Sequence, residues 1–113
     1  FIAIHEMLDG FAEALDEEID DVAERAGTLG HLATGTVQQV ASGSSLKPYP
    51  VDLSAVDRTL LVLQDVYAQL ARLVRQSIEE SVQLGDADTA DLFTGTSRLL
   101  DKQLWKIESH LQV

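Results

Sequence analysis

Four residues near the start of the chain have the types and spacing of metal ligands: His5, Asp9, Asp20 and Glu24. His5 with Asp9, and Asp20 with Glu24, are each separated by one helical turn, so that two side chains on one helix can grip one ion. At 100 degrees per residue the four fall at about 140, 180, 200 and 240 degrees, at the border of an apolar stripe centred near about 70 degrees. A carboxylate at such a border can be desolvated by a neighbour and still be reached by a small ion, whereas Glu18 and Asp21 are expected to point farther away and stay wet.

The two pairs cannot share an ion within one chain, because their midpoints are about 22 Å apart along the helix axis. Two copies of the helix packed antiparallel about a two-fold axis remove the difficulty. Facing residues then have numbers with a constant sum, and five plus twenty-four equals nine plus twenty. An axis near residues 14 and 15 brings His5 and Asp9 of one copy against Asp20 and Glu24 of the other, giving two equivalent intersubunit sites. One imidazole and three carboxylates make a hard shell suited to iron, manganese or zinc and poor for cuprous ion. Iron is the natural choice, since clustered carboxylates stabilise the added charge when ferrous iron becomes ferric and the few protein ligands leave room for an oxidant.

Nine of the nineteen acidic residues lie between Glu6 and Glu24, with no basic residue until Arg25. A solvated face explains most such runs; the paired spacing separates ligand candidates from solubilising charge. The net charge of −11 repels phosphate backbones and anionic lipid and attracts cations. With no cysteine in the chain, any site is built from nitrogen and oxygen ligands, and a reducing compartment is permitted. No apolar run approaches the roughly 20 residues that a membrane-spanning helix needs.

These residues need long helices to carry them. Residues 1 to about 29 place Ile4, Leu8, Phe11, Leu15, Ile19, Val22, Ala26 and Leu29 on one face, with Gly27 and Gly30 as terminators. A connection follows from His31 to Ser45, with a short helix around Thr36 to Ala41. After Pro48-Tyr49-Pro50, Ser54 and Asp57 have capping-box spacing, and a second long helix of roughly 45 Å runs to Gly85. Leu92, Thr96, Leu99, Gln103, Ile107 and Leu111 set out a third, its apolar face widened by Leu100, Leu104 and Trp105. The fold class is all-α, an incomplete antiparallel bundle of one domain over 1–113, whose three stripes leave a groove for a fourth helix preceding Phe1.

Four segments then resemble a known family. Ile4-His5-x-x-x-Asp9 is similar to half of one signature of the Dps proteins (DNA-binding proteins from starved cells), members of the ferritin-like superfamily. Ile19-Asp20-x-Val22-Ala23-Glu24-Arg25-x-x-x-Leu29-Gly30-x-x-Ala33 resembles the whole of a second. Leu46 to Pro50 and Leu100 to Ser109 are also similar, so the resemblance covers essentially the full chain. It implies a ferritin-like four-helix bundle, iron ligation by His5 and Asp9 with Asp20 and Glu24 of a two-fold-related subunit, and a dodecameric shell. It further implies ferrous oxidation, preferentially by hydrogen peroxide, with ferric mineral stored inside and DNA thereby protected. A cytoplasmic location, with nucleoid association, belongs to the same expectation.

Two features depart from the family pattern. The family's opening helix, which adds a histidine ligand, is not in this sequence, and we expect the chain to be a fragment of a longer subunit. No lysine-rich tail is present either, so DNA contact would require a further basic segment or bridging cations. The acids Asp86, Asp88 and Asp91 suit a pore lining or a helix cap equally. Trp105 is expected in the core or at a subunit contact, and His31 and His110 are expected to be structural. No Gly-x-Ser-x-Gly turn or Gly-rich phosphate loop supports a hydrolase or a nucleotide-binding protein. The alternative is a non-catalytic helical assembly module with an acidic solvated face.

Overall fold

A computed structural model describes residues 1–112. They form α1 (Ile2–Thr28), a short α2 (Val37–Gly43), α3 (Val56–Gln83) and α4 (Ala87–Ser109), and no strand occurs among the described residues. The all-α reading and the element order therefore hold.

The helix ends follow from local chemistry. α1 and α3 both close with a glycine in the left-handed region, Gly30 at φ 90° and Gly85 at φ 75°. In each, the next residue's N–H reaches back to close the Schellman pattern, His31 to Ala26 O at 3.0 Å and Asp86 to Ser81 O at 2.9 Å. Gly27, by contrast, lies inside α1. Thr36 caps α2 in a full capping box with Gln39, and Asp86 caps α4 by accepting from Thr89 N. The box expected at Ser54 does not form: α3 starts one residue later, with Ala55 in the cap position and no side-chain cap bond. Asp57, one methylene shorter than the glutamate that usually completes such a box, stays in the first turn, where its charge favours the helix N-terminus.

α3 and α4 form an antiparallel hairpin across a three-residue turn, and α1 packs on α4. The core gathers Phe11 from α1, Leu60, Tyr67 and Val74 from α3, and Leu100 and Ile107 from α4. Tyr67 is held in it by a polar tie. Burial pushes its phenol up to about 12, so it stays protonated and donates to Gln103 Oε1 at 2.9 Å. Because α1 and α3 both run antiparallel to α4, they are parallel to each other, and residues 29–55 must travel the length of the bundle to join them. Gln69 Nε2 pins that connection by donating to Ser45 O at 2.7 Å.

Three helices thus occupy three corners of a four-helix bundle. At the fourth corner lies an apolar groove of about 500 Å³, walled by Leu15, Ile19 and Val22 of α1 and Leu70 and Val74 of α3, with Leu100 at its floor. Ile19, on the predicted stripe, is accordingly 65% exposed. Trp105 is not in the core of this chain: it is 61% exposed, because the buried line of α4 follows Thr96, Leu100, Gln103 and Ile107, and Trp105 lies off that line.

Leu100 is 1% exposed and touches the core from the middle of α4. Leu100→Ala should destabilise the fold by about 3 kcal/mol through lost burial and the cavity left behind, read from the midpoint of urea unfolding at constant slope.

Candidate metal half-sites on one helix face

The uninterrupted helix of α1 places the four candidate ligands as their spacing requires. His5 and Asp9 converge, with Nε2 and Oδ2 3.6 Å apart and both side chains more than half exposed. The ring of Phe1 stacks on that of His5 at 5.8 Å between centroids. Farther along, Asp20 raises the carboxyl of Glu24 above its ordinary value, first by charge repulsion and then through a hydrogen bond between the two side chains, with Asp21 adding a smaller repulsion. Two carboxyls in this relation offer oxygens that a cation neutralises better than water does. The donor set, imidazole and carboxylate in one pair and two carboxylates in the other, suits a hard divalent or trivalent ion.

One chain brings each pair together but not the four. Among the described residues no three His, Asp or Glu side chains gather on one point. Each pair is therefore at most a candidate half-site with two protein donors, and all four side chains are exposed.

Two acids near these pairs behave differently from expectation. Glu18, expected to stay wet, is half-buried and accepts a hydrogen bond from Thr96 Oγ1 of α4. Asp86, one of the three acids at the start of α4, is bound twice over. Its carboxylate accepts from Thr89 N at 3.0 Å and Thr89 Oγ1 at 2.6 Å, and from Arg25 Nη2 at 3.0 Å. These bonds, Thr89 first and Arg25 after it, hold its carboxyl below its ordinary value. The cap role of Asp86 is thus met, while Asp88 and Asp91 remain exposed. Sequence reading passed over the pairing of Arg25 with Thr89 and Asp86; the seven-residue step from Glu18 to Arg25 was the available signal. His110 is structural as expected, its Nδ1 lying 2.7 Å from Lys106 O.

Since the folded-state value of Asp86 is depressed, its stabilising contribution is full above its ordinary value of 3.8 and is lost as pH falls through the lower folded value. Melting temperatures measured between pH 6 and pH 2 should fall more steeply at the acid end for the parent than for Asp86→Asn, and parallel curves would contradict this assignment.

Among the described residues no helix is long and apolar enough to cross a membrane. The ferritin-like domain family matches residues 1–113. A DNA protection during starvation protein from Agrobacterium fabrum is 45% identical over 112 residues, covering 99% of this chain and 69% of the relative. The solved structure of Dps from Mycobacterium smegmatis superposes with a TM-score of 0.94 at 33% identity, covering 100% of this chain and 68% of that one. DpsC from Streptomyces coelicolor gives a TM-score of 0.95 at 29% identity, covering 100% and 66%. The chain spans about two thirds of the length of the curated relatives it matches, 65% to 69% for the first of them. On the match of the whole chain to the ferritin-like domain and its likeness to these Dps relatives, this protein belongs to the Dps family of ferritin-like proteins.

Proposed function

We propose that the full subunit of which these residues form part oxidises ferrous iron at intersubunit sites and stores the ferric product inside a closed shell. The observation that carries this reading is the geometry of α1. His5 with Asp9, and Asp20 with Glu24, are two exposed pairs on one unbroken helix, and their spacing is compatible with a two-fold copy supplying to each what it lacks. The Agrobacterium relative's name, DNA protection during starvation protein, supports a protective role.

In this reading His5, Asp9, Asp20 and Glu24 bind iron as substrate. The carboxylates favour the ferric product electrostatically, and the paired spacing holds ions in place while electrons leave them. With hydrogen peroxide as oxidant, two ferrous ions give up one electron each, and the peroxide with two protons becomes two waters. Iron and peroxide are thereby consumed together, without hydroxyl radical reaching DNA. The assembly is a homo-oligomer, a dodecamer built from two-fold dimers, and the shell lies in the cytoplasm. Asp88 and Asp91, exposed beside the capped Asp86, are placed to attract iron if copies of α4 meet at a pore. DNA contact would depend on segments beyond these residues, because the charge described here repels phosphate.

Asp20→Ala or Glu24→Ala should slow the appearance of ferric absorbance after ferrous iron and peroxide are mixed by at least about tenfold, as expected for a lost ligand. Rates equal to the parent's would sink the site and leave the non-catalytic assembly reading standing. A second experiment addresses sharing between subunits. Chains carrying His5→Ala and chains carrying Glu24→Ala, mixed during refolding, should recover part of the activity, since each hybrid two-fold interface retains one intact site. No recovery in verified hybrids would overturn the sharing of one site between two subunits.

A further inference from the structure

α1 is fastened to α4 by three polar contacts that recur every seven residues. Gln103 Nε2 donates to the backbone carbonyl of Phe11 at 3.4 Å, Thr96 Oγ1 donates to Glu18 Oε2, and Arg25 Nε donates to Thr89 Oγ1 at 2.9 Å. Ascending α1, the rungs stand at Phe11, Glu18 and Arg25; descending α4, they stand at Gln103, Thr96 and Thr89. The two residue numbers of every rung have the same sum, as antiparallel helices in one fixed register require. At 100 degrees per residue the α1 rungs lie within about 20 degrees of zero, while His5, Asp9, Asp20 and Glu24 average about 190 degrees. The rungs are therefore directly across the helix axis from the half-sites.

We propose that this ladder is the positioning device of the half-sites, with Glu18, Arg25, Thr89, Thr96 and Gln103 as positioning residues. The inference rests on the reading of His5, Asp9, Asp20 and Glu24 as ligands. Apolar packing is non-directional and tolerates sliding and rotation. A hydrogen bond does not: it weakens steeply with misalignment, and a slip would part Thr96 Oγ1 from Glu18 and the buried Nε2 of Gln103 from the Phe11 carbonyl. A one-residue slip of α1 along α4 would also turn the helix by about 100 degrees and carry the ligands off the face that a second copy must meet. Within these residues α1 has the groove on its other flank and meets α3 through Phe11 against Tyr67, so the polar bonds that fix its rotation all come from the α4 side.

The test is zinc affinity of the assembled protein by titration calorimetry, with melting temperature and helicity measured on the same samples. Thr96→Val, which deletes only the hydroxyl, and Arg25→Lys, which loses the forked geometry, should each weaken zinc binding by about tenfold while helicity is retained, a loss typical of outer-shell partners. Thr96→Ser keeps the donor and deletes only the methyl, and it should bind within about twofold of the parent, which a role for the methyl's packing would not allow. Asp20→Ala is the control that removes a ligand outright. Loss of binding in Asp20→Ala with parent affinity in Thr96→Val and Arg25→Lys overturns the positioning role alone. Parent affinity in Asp20→Ala overturns the ligand reading, and the positioning role falls with it.

Discussion

α1 turns one strip of its surface to α4 and leaves the opposite strip to water, and this division is enforced by directional polar contacts more than by depth of burial. Only Phe11 of α1 is fully buried among the described residues, against five buried positions on α3 and six on α4. Ile4, Met7, Leu8 and Leu15 pack against the core only partly buried, so apolar contact fixes the face of α1 but not its fine rotation. The bonds from Gln103, Thr96 and Arg25 fix that rotation, and every statement about what the acidic face can meet depends on it.

The same arrangement has an electrostatic side. Nine carboxylates along one helix repel one another, and the raised carboxyl of Glu24 is where this repulsion registers locally. Arg25 does not relieve it, because its guanidinium is turned to α4, where it pairs with Asp86 and Thr89. The acidic face is left without a cation from its own helix, a state suited to a surface that takes its positive charge from solution. Bringing two such faces together about a two-fold axis would place acid against acid. Assembly and cation capture would then favour each other, since one imidazole and three carboxylates accept an ion more readily than any single pair does.

The periodicity of the three long helices was legible because each carries an apolar stripe at the helical spacing, and the glycines at Gly30 and Gly85 punctuate it. The four ligand candidates were legible for the same reason: spacing on one helix is a local property. What the sequence did not disclose is pairwise and distant. Glu18 read as a solvated acid because nothing near it in sequence is a donor; its partner, Thr96, is 78 residues away. Trp105 read as core or subunit contact because its neighbours are apolar, but the buried line of α4 passes around the other side of the helix, which leaves it outside the core of this chain. At Ser54 the local signal was present, but the helix starts one residue later, with Ala55 at the cap and no side-chain cap bond.

The parallel course of α1 and α3 bears on how the chain assembles itself. The α3–α4 hairpin closes over a three-residue turn, so its pairing can start beside the turn and extend from there, and its closure costs little chain entropy. Seating Arg25 on Thr89 instead closes a loop of 64 residues, including a connection that is exposed almost throughout. Local contacts form early and distant ones late. The hairpin is thus the cheaper part to close, whereas seating α1, with all four candidate ligands on it, carries the larger loop-closure cost, much as docking a separate subunit would.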